Sequence, residues 1–247
     1  ERRPMVEEPG VVASPADARA LVGSLSEASA LFLKEKFFSL DELLGGREWA
    51  KRFKGGDFAV FRLTPDKYHY NHVPASGVVA AIYEADGAYH ACNPAAAVAE
   101  ATPLSKNRRI VTVIDTDAPG GDRVGLVAMI EVVALMIGDV RQTYSEDRYE
   151  APRPVAPGMF LRKGAPKSLY RPGSSTDVLL FEPGRARFWP DLVRNLSVRA
   201  ESRFSLGFGR PLVETDVAVR SPIAHRFETG DEDVPGDPRR KGRRRTS

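Results

Sequence analysis

A glycine followed by two serines opens an apolar stretch in the second half of the chain. Gly173 precedes Ser174 and Ser175, and the apolar run Val178–Phe181 follows shortly afterwards. Because glycine has no side chain and reaches unusual backbone angles, the hydroxyl of a serine after it can fold back onto the preceding carbonyl. This is the geometry of an N-to-O acyl shift, in which a hydroxyl attacks its own peptide bond. The commoner structure for such residues is a simple turn before a core strand.

Two histidines and an aspartate are the other candidate reactive groups. His69 and His72 lie three residues apart in Thr64–Gly77, where two prolines leave too few residues for a stable helix. The imidazoles therefore do not share a helical face, and no nearby cysteine or third histidine completes a metal site, so no metal is predicted. They are either polar loop residues or acid–base groups on a turn at a strand end. Asp17 lies at a bend beside a proline, where an aspartate is an ordinary turn residue.

The elements that must position these groups are mostly short strands. Glu7–Gly23 is typical of two strands joined by a turn that carries Asp17. Ser39 followed by Glu42 predicts a capped, brief helix that the next glycine pair ends. Further strands are predicted in Phe58–Leu63, Val78–Tyr83, Arg108–Thr116, Val178–Phe181 and, as a pair, in Val124–Val140, with a hairpin turn and a loop in Asp86–Thr102. The pattern predicts a mainly β (α+β) fold, with antiparallel sheets in one compact domain and a few short helices.

Length, charge and cysteine content limit the class of protein. A chain of 247 residues with 42% hydrophobic residues can bury one sizeable core. The net charge of +3 is modest and does not indicate a nucleic-acid partner. The single cysteine, Cys92, cannot form an internal disulfide, which suits a reducing cytoplasm. The apolar run Val124–Val140 has Glu131 near its centre, where a carboxylate in a bilayer costs about 2.5–3.5 kcal/mol, so buried strands are favoured over a membrane span.

These segments together, and in this order, resemble the pyruvoyl-dependent phosphatidylserine decarboxylase family. The most specific match is Arg62–Gly77, against the family signature Arg-Leu-x-Pro-x-Asp-Tyr-His-Arg-x-His-x-Pro-x-x-Gly. Arg162–Gly184 resembles the family's sequence of Lys-Gly, then Gly-Ser-Thr, then an apolar strand. Further matches, to the family's Pro-Ala-Asp-Gly, Tyr-Ser-Leu-x-x-Leu-Leu, Asn-Pro and Asn-Glu-Arg segments, are Ser14–Arg19, Phe37–Gly46, Asn93–Ala97 and Lys106–Thr116. The resemblance implies a decarboxylase domain over residues 1–227.

The resemblance also implies that the protein cuts itself into two chains. In the family a serine attacks the carbonyl before it, the resulting ester eliminates, and hydrolysis leaves a covalent pyruvoyl group as the cofactor. Ser174 would take this role, so that cleavage between Gly173 and Ser174 leaves a larger β chain of residues 1–173 and a smaller α chain from residue 174. Ser175 is the alternative, because counting back from Phe181 aligns it with the serine of Gly-Ser-Thr. Ser174 is favoured because the glycine before it assists the acyl shift.

Roles for the upstream residues follow from the same resemblance. His72 matches the second histidine of the signature and would be the base for cleavage. Asp17 would orient it, with the logic of a Ser-His-Asp triad. His69 matches the first histidine and would serve decarboxylation. The pyruvoyl ketone would condense with the substrate amine and accept electrons as CO2 leaves.

The implied function is the conversion of phosphatidylserine, or a related amino-acid head group, with release of CO2; from phosphatidylserine the product is phosphatidylethanolamine. The resemblance places the enzyme in the cytoplasm, peripherally associated with the cell membrane. One alternative is a soluble pyruvoyl-dependent amino-acid decarboxylase of the same family, and another is a non-catalytic relative that binds lipid or a protein partner. Residues 228–247 are predicted to be a disordered basic tail, whose Arg239–Arg245 cluster either contacts anionic membrane or has no role.

Overall fold

The computed structural model describes most of the chain between its two termini. It covers residues 4–228 except 30, 32, 34–36, 47, 101, 135–138, 172 and 173, and it describes residue 174 by its backbone. Gly173 therefore lies outside the described residues. The predicted basic tail also lies outside them, apart from its first residue, Glu228.

Short strands dominate the described residues, and helices are few and brief. The strands are β1 Val11–Ala13, β2 Ala18–Ser24, β3 Asp57–Leu63, β4 Tyr70–His72, β5 Gly77–Ala85, β6 Arg109–Asp115, β7 Leu126–Ala134, β8 Val140–Gln142, β9 Phe160–Leu161, β10 Pro166–Tyr170, β11 Ser174–Phe181, β12 Ala186–Phe188, β13 Thr215–Val217 and β14 Pro222–Arg226. The helices are α1 Leu40–Leu43, α2 Trp49–Phe53, α3 Pro94–Ala99, α4 Pro103–Lys106, α5 Pro190–Leu196 and α6 Arg203–Phe208. The predicted mainly β fold is confirmed.

A large antiparallel sheet forms the centre of the molecule. Among the described residues it has eight strands in the order β13-β2-β3-β11-β7-β6-β5-β9. Strand β7 is buried along its whole length, and the apolar residues of β11 join it in the core. A strand with neighbours on both edges and cover on both faces reads as a continuous apolar run, which explains the run that contains Glu131. Strand β11, which begins at Ser174, is therefore held between β3 and β7.

Two three-stranded sheets complete the fold. One has the order β4-β10-β8 and joins the histidine segment to the strand before the proposed cleavage site. The other has the order β1-β14-β12. In that second sheet, a strand from the end of the described chain lies between β1 near its start and β12. Strands far apart in sequence thus close the sheet that flanks Asp17.

The brief helix predicted from Ser39 and Glu42 is present as α1. The Ser39 hydroxyl accepts a hydrogen bond from the backbone N–H of Glu42 at 3.5 Å. Gly45 and Gly46 follow with φ values of 68° and 67°, a region that favours glycine and ends the helix. The carboxylate of Glu42 accepts a hydrogen bond from Ser105 at 3.0 Å. The Glu42 carboxylate therefore makes a tertiary hydrogen bond instead of the local bond to the Ser39 backbone that the predicted capping box implies.

One local prediction was wrong. The segment Asp86–Thr102, predicted as a turn and a loop, contains α3, whose N-cap Asn93 accepts a hydrogen bond from Ala96 at 3.0 Å. Asparagine before proline is a strong helix start, and the alanines that follow have high helix propensity. In the run Val124–Val140, predicted as a pair of strands, β7 spans Leu126–Ala134 and β8 begins at Val140, while residues 135–138 lie outside the described residues. Helices α5 and α6 were not predicted from the sequence.

Candidate active site

One edge of the large sheet brings the candidate residues together. Ser175 pairs with Leu63, the last residue of β3, and Arg62 pairs with Arg19, near the start of β2. The start of β11, the end of β3 and the start of β2 therefore lie at the same edge. Asp17 immediately precedes β2, and the histidine segment immediately follows β3. Antiparallel pairing thus gathers residues that are more than a hundred positions apart in the sequence.

The histidine segment is held at this edge by two backbone hydrogen bonds. The carbonyl of His69 accepts from the N–H of Tyr170 at 3.0 Å, at the end of β10 and a few residues before Ser174. The N–H of His72 donates to the carbonyl of Pro15 at 2.8 Å. The first bond brings His69 to the strand that leads to the proposed cleavage site. The second brings His72 to the bend that carries Asp17.

Hydrogen bonds to both ring nitrogens fix the imidazole of His72. The residue is 1% exposed, and its ring has Nδ1 2.8 Å from the carbonyl oxygen of Gly164 and Nε2 3.0 Å from the hydroxyl of Tyr68. A carbonyl oxygen only accepts hydrogen bonds, so Nδ1 carries the proton of the neutral ring and Nε2 is the nitrogen that can accept one. Tyr68 also bonds the hydroxyl of Tyr149. His72 therefore has the tautomer that a general base needs, with a tyrosine hydroxyl at its basic nitrogen.

His69 has different surroundings. Its Nδ1 lies 2.6 Å from the carbonyl oxygen of Lys67, whereas Nε2 is buried and has no hydrogen-bond partner among the described residues. His69 and Asn71 are two residues apart along an extended segment, a spacing that puts both side chains on one face. The amide of Asn71 bonds Ser168 and Glu131 inside the protein. His69 thus has a free basic nitrogen on the inward face, and that arrangement fits proton transfer to a reacting group nearby.

Two serines stand at the head of β11, and the second of them, Ser175, is buried. The backbone of Ser174 pairs with Ala134, the last residue of β7. The hydroxyl of Ser175 is buried and has no hydrogen-bond partner among the described residues. A buried hydroxyl without a partner costs about 1–3 kcal/mol, so its presence calls for a reason. The reason is functional if this serine must attack a carbonyl or bind a reacting group.

Asp17 is held by a segment from near the end of the described chain. Its Oδ1 accepts a hydrogen bond from the backbone N–H of Val219 at 2.7 Å. Val219 itself is buried. The carboxylate is therefore oriented by a residue 202 positions away. The sequence offered no signal for this contact.

A buried polar cluster beside β11 was missed by sequence reasoning. Lys167 and Glu131 are both fully buried, with Nζ 2.7 Å from Oε2. Ser168 donates to Oε1 of Glu131, and Asn71 donates to Ser168 at 3.0 Å. Gln142 completes the cluster, since its Oε1 accepts from Lys167 at 2.9 Å and its amide donates to Glu131 at 2.9 Å. The one available signal was the carboxylate of Glu131 in an otherwise apolar run.

Asp177 is a second buried carboxyl next to this cluster. It pairs with Glu131 across the sheet, and its Oδ1 lies 2.7 Å from the hydroxyl of Tyr170. Burial, and secondarily the negative charge of Glu131, raises the pKa of Asp177 well above its usual range. The Tyr170 hydroxyl donates this hydrogen bond to Asp177, and it also lies 3.1 Å from the carbonyl oxygen of Thr176. Asp177 thus lies two residues after Ser175 and on the same face of β11.

Other features of the described residues lie away from this edge. A cavity of about 530 Å³ is lined by Arg123, Gly184, Arg185, Arg226, Phe227 and Glu228. Gly184 and Arg185 follow the end of β11, so the cavity lies near the sheet edge opposite to Ser174. Within the described ranges, no three side chains of the metal-binding types gather into a possible ion site. None of the helices seen there is long and apolar enough to cross a membrane.

Comparison with known proteins gives a consistent family match. The family model described as phosphatidylserine decarboxylase matches residues 1–205. The phosphatidylserine decarboxylase proenzyme of Chlamydia trachomatis serovar L2 is 32% identical over 208 residues, which are 84% of this chain and 64% of that protein. The proenzyme of Fusobacterium nucleatum is 28% identical over 198 residues, 80% of this chain and 61% of that protein. The chain thus spans less than two thirds of the length of these curated relatives.

Proposed function

Since the chain belongs to the phosphatidylserine decarboxylase family, we propose that it is a proenzyme that cuts itself before Ser174 and then decarboxylates phosphatidylserine. The products of the mature enzyme are phosphatidylethanolamine and CO2. The observation that carries the proposal is the shared sheet edge at which Asp17, the histidine segment and the head of β11 meet. The word proenzyme in the names of the relatives supports the self-cleavage.

The cut is an attack of a serine hydroxyl on the carbonyl before it. The Oγ of Ser174 forms a bond to the carbonyl carbon of Gly173, the peptide C–N bond breaks, and the freed nitrogen takes up a proton. Removal of the serine α-proton then expels the Gly173 carboxylate, and hydrolysis releases ammonia and leaves a ketone at residue 174. Ser175 is the alternative nucleophile. Its hydroxyl has no hydrogen-bond partner among the described residues, and this supports Ser175 in that role. Either serine lies at the head of the same strand.

Two imidazoles serve the two reactions. We assign the base of the cut to His72, because its Nε2 lacks a proton in the tautomer that the Gly164 contact selects. Asp17 orients it from the bend that binds the His72 backbone. We assign decarboxylation to His69. The free Nε2 of His69 and its proximity to Tyr170 also support the reverse assignment, with His69 as the base of the cut, and this is the second candidate.

Decarboxylation requires a place for the electrons that CO2 leaves behind. A pyruvoyl group at residue 174 would supply a ketone that can condense with the substrate amine and so provide the electron acceptor. The buried hydroxyl of Ser175 and the unpartnered Nε2 of His69 fit a reacting group at this edge, since both lack the hydrogen bonds that buried polar atoms normally have. In this reaction the free Nε2 of His69 takes up a proton and gives it to the substrate carbon after CO2 has left.

Contact with anionic membrane is the second part of the proposal. The cluster Arg239–Arg245 carries six basic side chains. Near an anionic surface each contributes on the order of 1 kcal/mol, which suffices for reversible attachment at low salt. Deletion of the residues after Phe227 should therefore reduce co-sedimentation with phosphatidylserine vesicles, and high salt should reduce binding of the intact chain. Equal, salt-insensitive binding by both proteins would remove the tail from the mechanism.

An intact-mass spectrum of the purified protein tests the central claim. We expect two fragments, a larger one ending at Gly173 and a smaller one that resists N-terminal sequencing because a pyruvoyl group blocks it. A cut at Ser175 would lengthen the larger fragment by one serine. A stable, full-length chain with both serines unmodified would contradict the proposal and favour a non-catalytic relative that binds lipid or a protein partner.

Substrate preference is tested separately on the cut protein. Release of CO2 is compared between phosphatidylserine in mixed micelles and free serine or other free amino acids. Faster release from the lipid supports phosphatidylserine as substrate. Release from a free amino acid alone would favour a soluble amino-acid decarboxylase of the same family.

A further inference from the structure

A turn near the end of the described chain clamps the bend that carries Asp17. The N–H of Ser14 donates to the carbonyl of Ser221 at 2.7 Å, and the N–H of Arg220 donates to the carbonyl of Ser14 at 2.9 Å. The N–H of Val219 binds the carboxylate of Asp17. This turn lies beyond residues 1–205, which the family model matches. A part of the chain outside the matched range thus builds one wall of the candidate site.

The side chain of Arg220 reaches from this turn to His72. Its Nε lies 3.0 Å from the carbonyl oxygen of Gly164 and 3.4 Å from Nδ1 of His72. The same carbonyl accepts the Nδ1 proton of His72 at 2.8 Å. A carbonyl oxygen has two lone pairs and can accept both donors, so the shorter contacts to Gly164 are the hydrogen bonds. Arg220 and His72 therefore share one acceptor and hold each other in place.

The backbone of Arg220 shows that this placement is imposed by the fold. Its φ is 70°, in the left-handed region that favours glycine and that other residues adopt at a cost. Such conformations persist where the surroundings hold them, and they are frequent at functional sites. Here the hydrogen bonds of Val219, Arg220 and Ser14 supply that hold. A glycine would adopt this conformation at little cost, but it has no guanidinium to place beside His72.

We propose that Arg220 is a positioning residue for the self-cleavage, which keeps the His72 ring neutral and in the tautomer with an unprotonated Nε2. The proposal rests on the proposed function. The guanidinium is always charged, and a positive charge beside an imidazole disfavours its protonation. Among the described residues, titratable groups that face His72 include the hydroxyls of Tyr68 and Tyr149, and Asp17 lies at the adjoining bend. Arg220 therefore keeps the base active at lower pH.

This arrangement crosses the proposed cut. Arg220 belongs to the smaller product chain, whereas His72, Gly164 and Asp17 belong to the larger one. The smaller chain thus contributes a positioning side chain as well as the reactive serine.

The experiment follows self-cleavage of newly synthesised chains in a cell-free pulse-chase over a pH series from mildly acidic to mildly alkaline. Arg220→Gln removes the charge, Arg220→Gly also relieves the backbone, and Arg220→Lys keeps the charge but loses the planar fork. Arg226→Gln is the matched control, because this arginine lies on the neighbouring strand and pairs with Glu228 at the surface. The melting temperature of each purified variant is measured in parallel.

We expect Arg220→Gln and Arg220→Gly to slow cutting about tenfold, the effect of losing one charged hydrogen bond. The acidic limb of their pH–rate profile should move to higher pH, because the His72 ring then protonates more readily. Arg220→Lys should keep the acidic limb, and Arg226→Gln should match the wild type.

Three outcomes would overturn the inference. The first is wild-type rate and pH profile in Arg220→Gln. The second is a slower cut with a lower melting temperature and an unchanged acidic limb, which would make Arg220 purely structural. The third is that no Arg220 variant folds, which would have the same meaning. A wild-type chain that is never cut would instead contradict the proposed function itself.

Discussion

At the scale of single residues, His69 and His72 are three positions apart in the sequence but lie in different chemical environments. Both nitrogens of His72 are hydrogen-bonded, whereas Nε2 of His69 has no partner among the described residues. One ring is thus locked in a tautomer, and the other keeps a buried nitrogen available. This difference is what permits two histidines in one turn to have separate roles.

Variants of these residues should separate cutting from decarboxylation. We expect His72→Ala and Asp17→Asn to block cutting, because the serine hydroxyl then loses its base or the base loses its orientation. His69→Ala should permit cutting and abolish CO2 release. Fragment patterns on gels and CO2 release from phosphatidylserine measure the two steps, with the exposed His90→Ala as control. Blocked cutting in His69→Ala, with normal cutting in His72→Ala, would reverse the assignment.

The buried carboxyl of Asp177 makes a prediction about pH. Its pKa is raised in the folded protein, so the fold keeps a proton that the unfolded chain has lost above its ordinary pKa of 3.8. Stability from this residue is therefore greatest at acidic pH and falls as pH rises from there towards the folded pKa. Asp177→Asn mimics the protonated acid and should raise the free energy of unfolding near neutral pH by about 1–3 kcal/mol.

Denaturant melts at several pH values measure this effect. The stability of Asp177→Asn should depend less on pH than that of the wild type. The exposed Asp86→Asn is the matched control and should leave the pH dependence unchanged. A lower free energy of unfolding for Asp177→Asn at neutral pH would mean that the carboxyl is ionised and paired in the fold.

At the scale of elements, the ion pair of Lys167 and Glu131 joins β10 to β7. Both side chains are fully buried, and removal of one partner leaves an uncompensated charge in the core. Lys167→Met should therefore reduce the free energy of unfolding by about 3–5 kcal/mol. The double variant Lys167→Met/Glu131→Gln should recover much of this loss, because no buried charge remains.

An exposed ion pair provides the comparison. Lys51 and Glu48 are 77% and 90% exposed, so Lys51→Met should change the free energy of unfolding by less than about 1 kcal/mol. Chemical denaturation of all the variants measures these differences. A small effect of Lys167→Met, equal to that of Lys51→Met, would show that water reaches Glu131 between the two sheets.

At the scale of the whole molecule, the proposed cut leaves strands of the two product chains hydrogen-bonded to each other in the same sheets. Strand β11 of the smaller chain lies between β3 and β7, and β14 lies between β1 and β12. Strand β13 also pairs with β2. These ladders join the two product chains along several strands, and their apolar residues belong to one core.

The two product chains should therefore remain one particle after cutting. Gel filtration in native buffer should elute both fragments together, at the volume of the uncut double variant Ser174→Ala/Ser175→Ala. Denaturant should separate them. Separate elution in native buffer would mean that the cut breaks the fold, and such a result would contradict the interleaved sheet order.

Sequence patterns alone determined the class of fold and indicated most of the candidate reactive groups. Apolar alternation located the long strands, the Ser39 signal located α1, and the spacing of motifs indicated the family through Asp17, His72 and Ser174. These are local or linear signals, which a chain carries whether or not it is folded. Short helices such as α3 were missed because six residues are too few to show a helical period of apolar side chains, although the Asn93 cap and the following proline are a local helix-start signal.

Only the tertiary structure decided which distant residues meet. The contact of Asp17 with Val219, the shared acceptor of His72 and Arg220, and the ion pair of Lys167 with Glu131 all join segments far apart in sequence. The partner of a strand and the register of its pairing depend on the packing of the whole sheet. Strand periodicity specifies one face of one strand, and it carries no information about the side chain that will lie opposite. The partner and the register of each strand are set when the strands pack together to form the core.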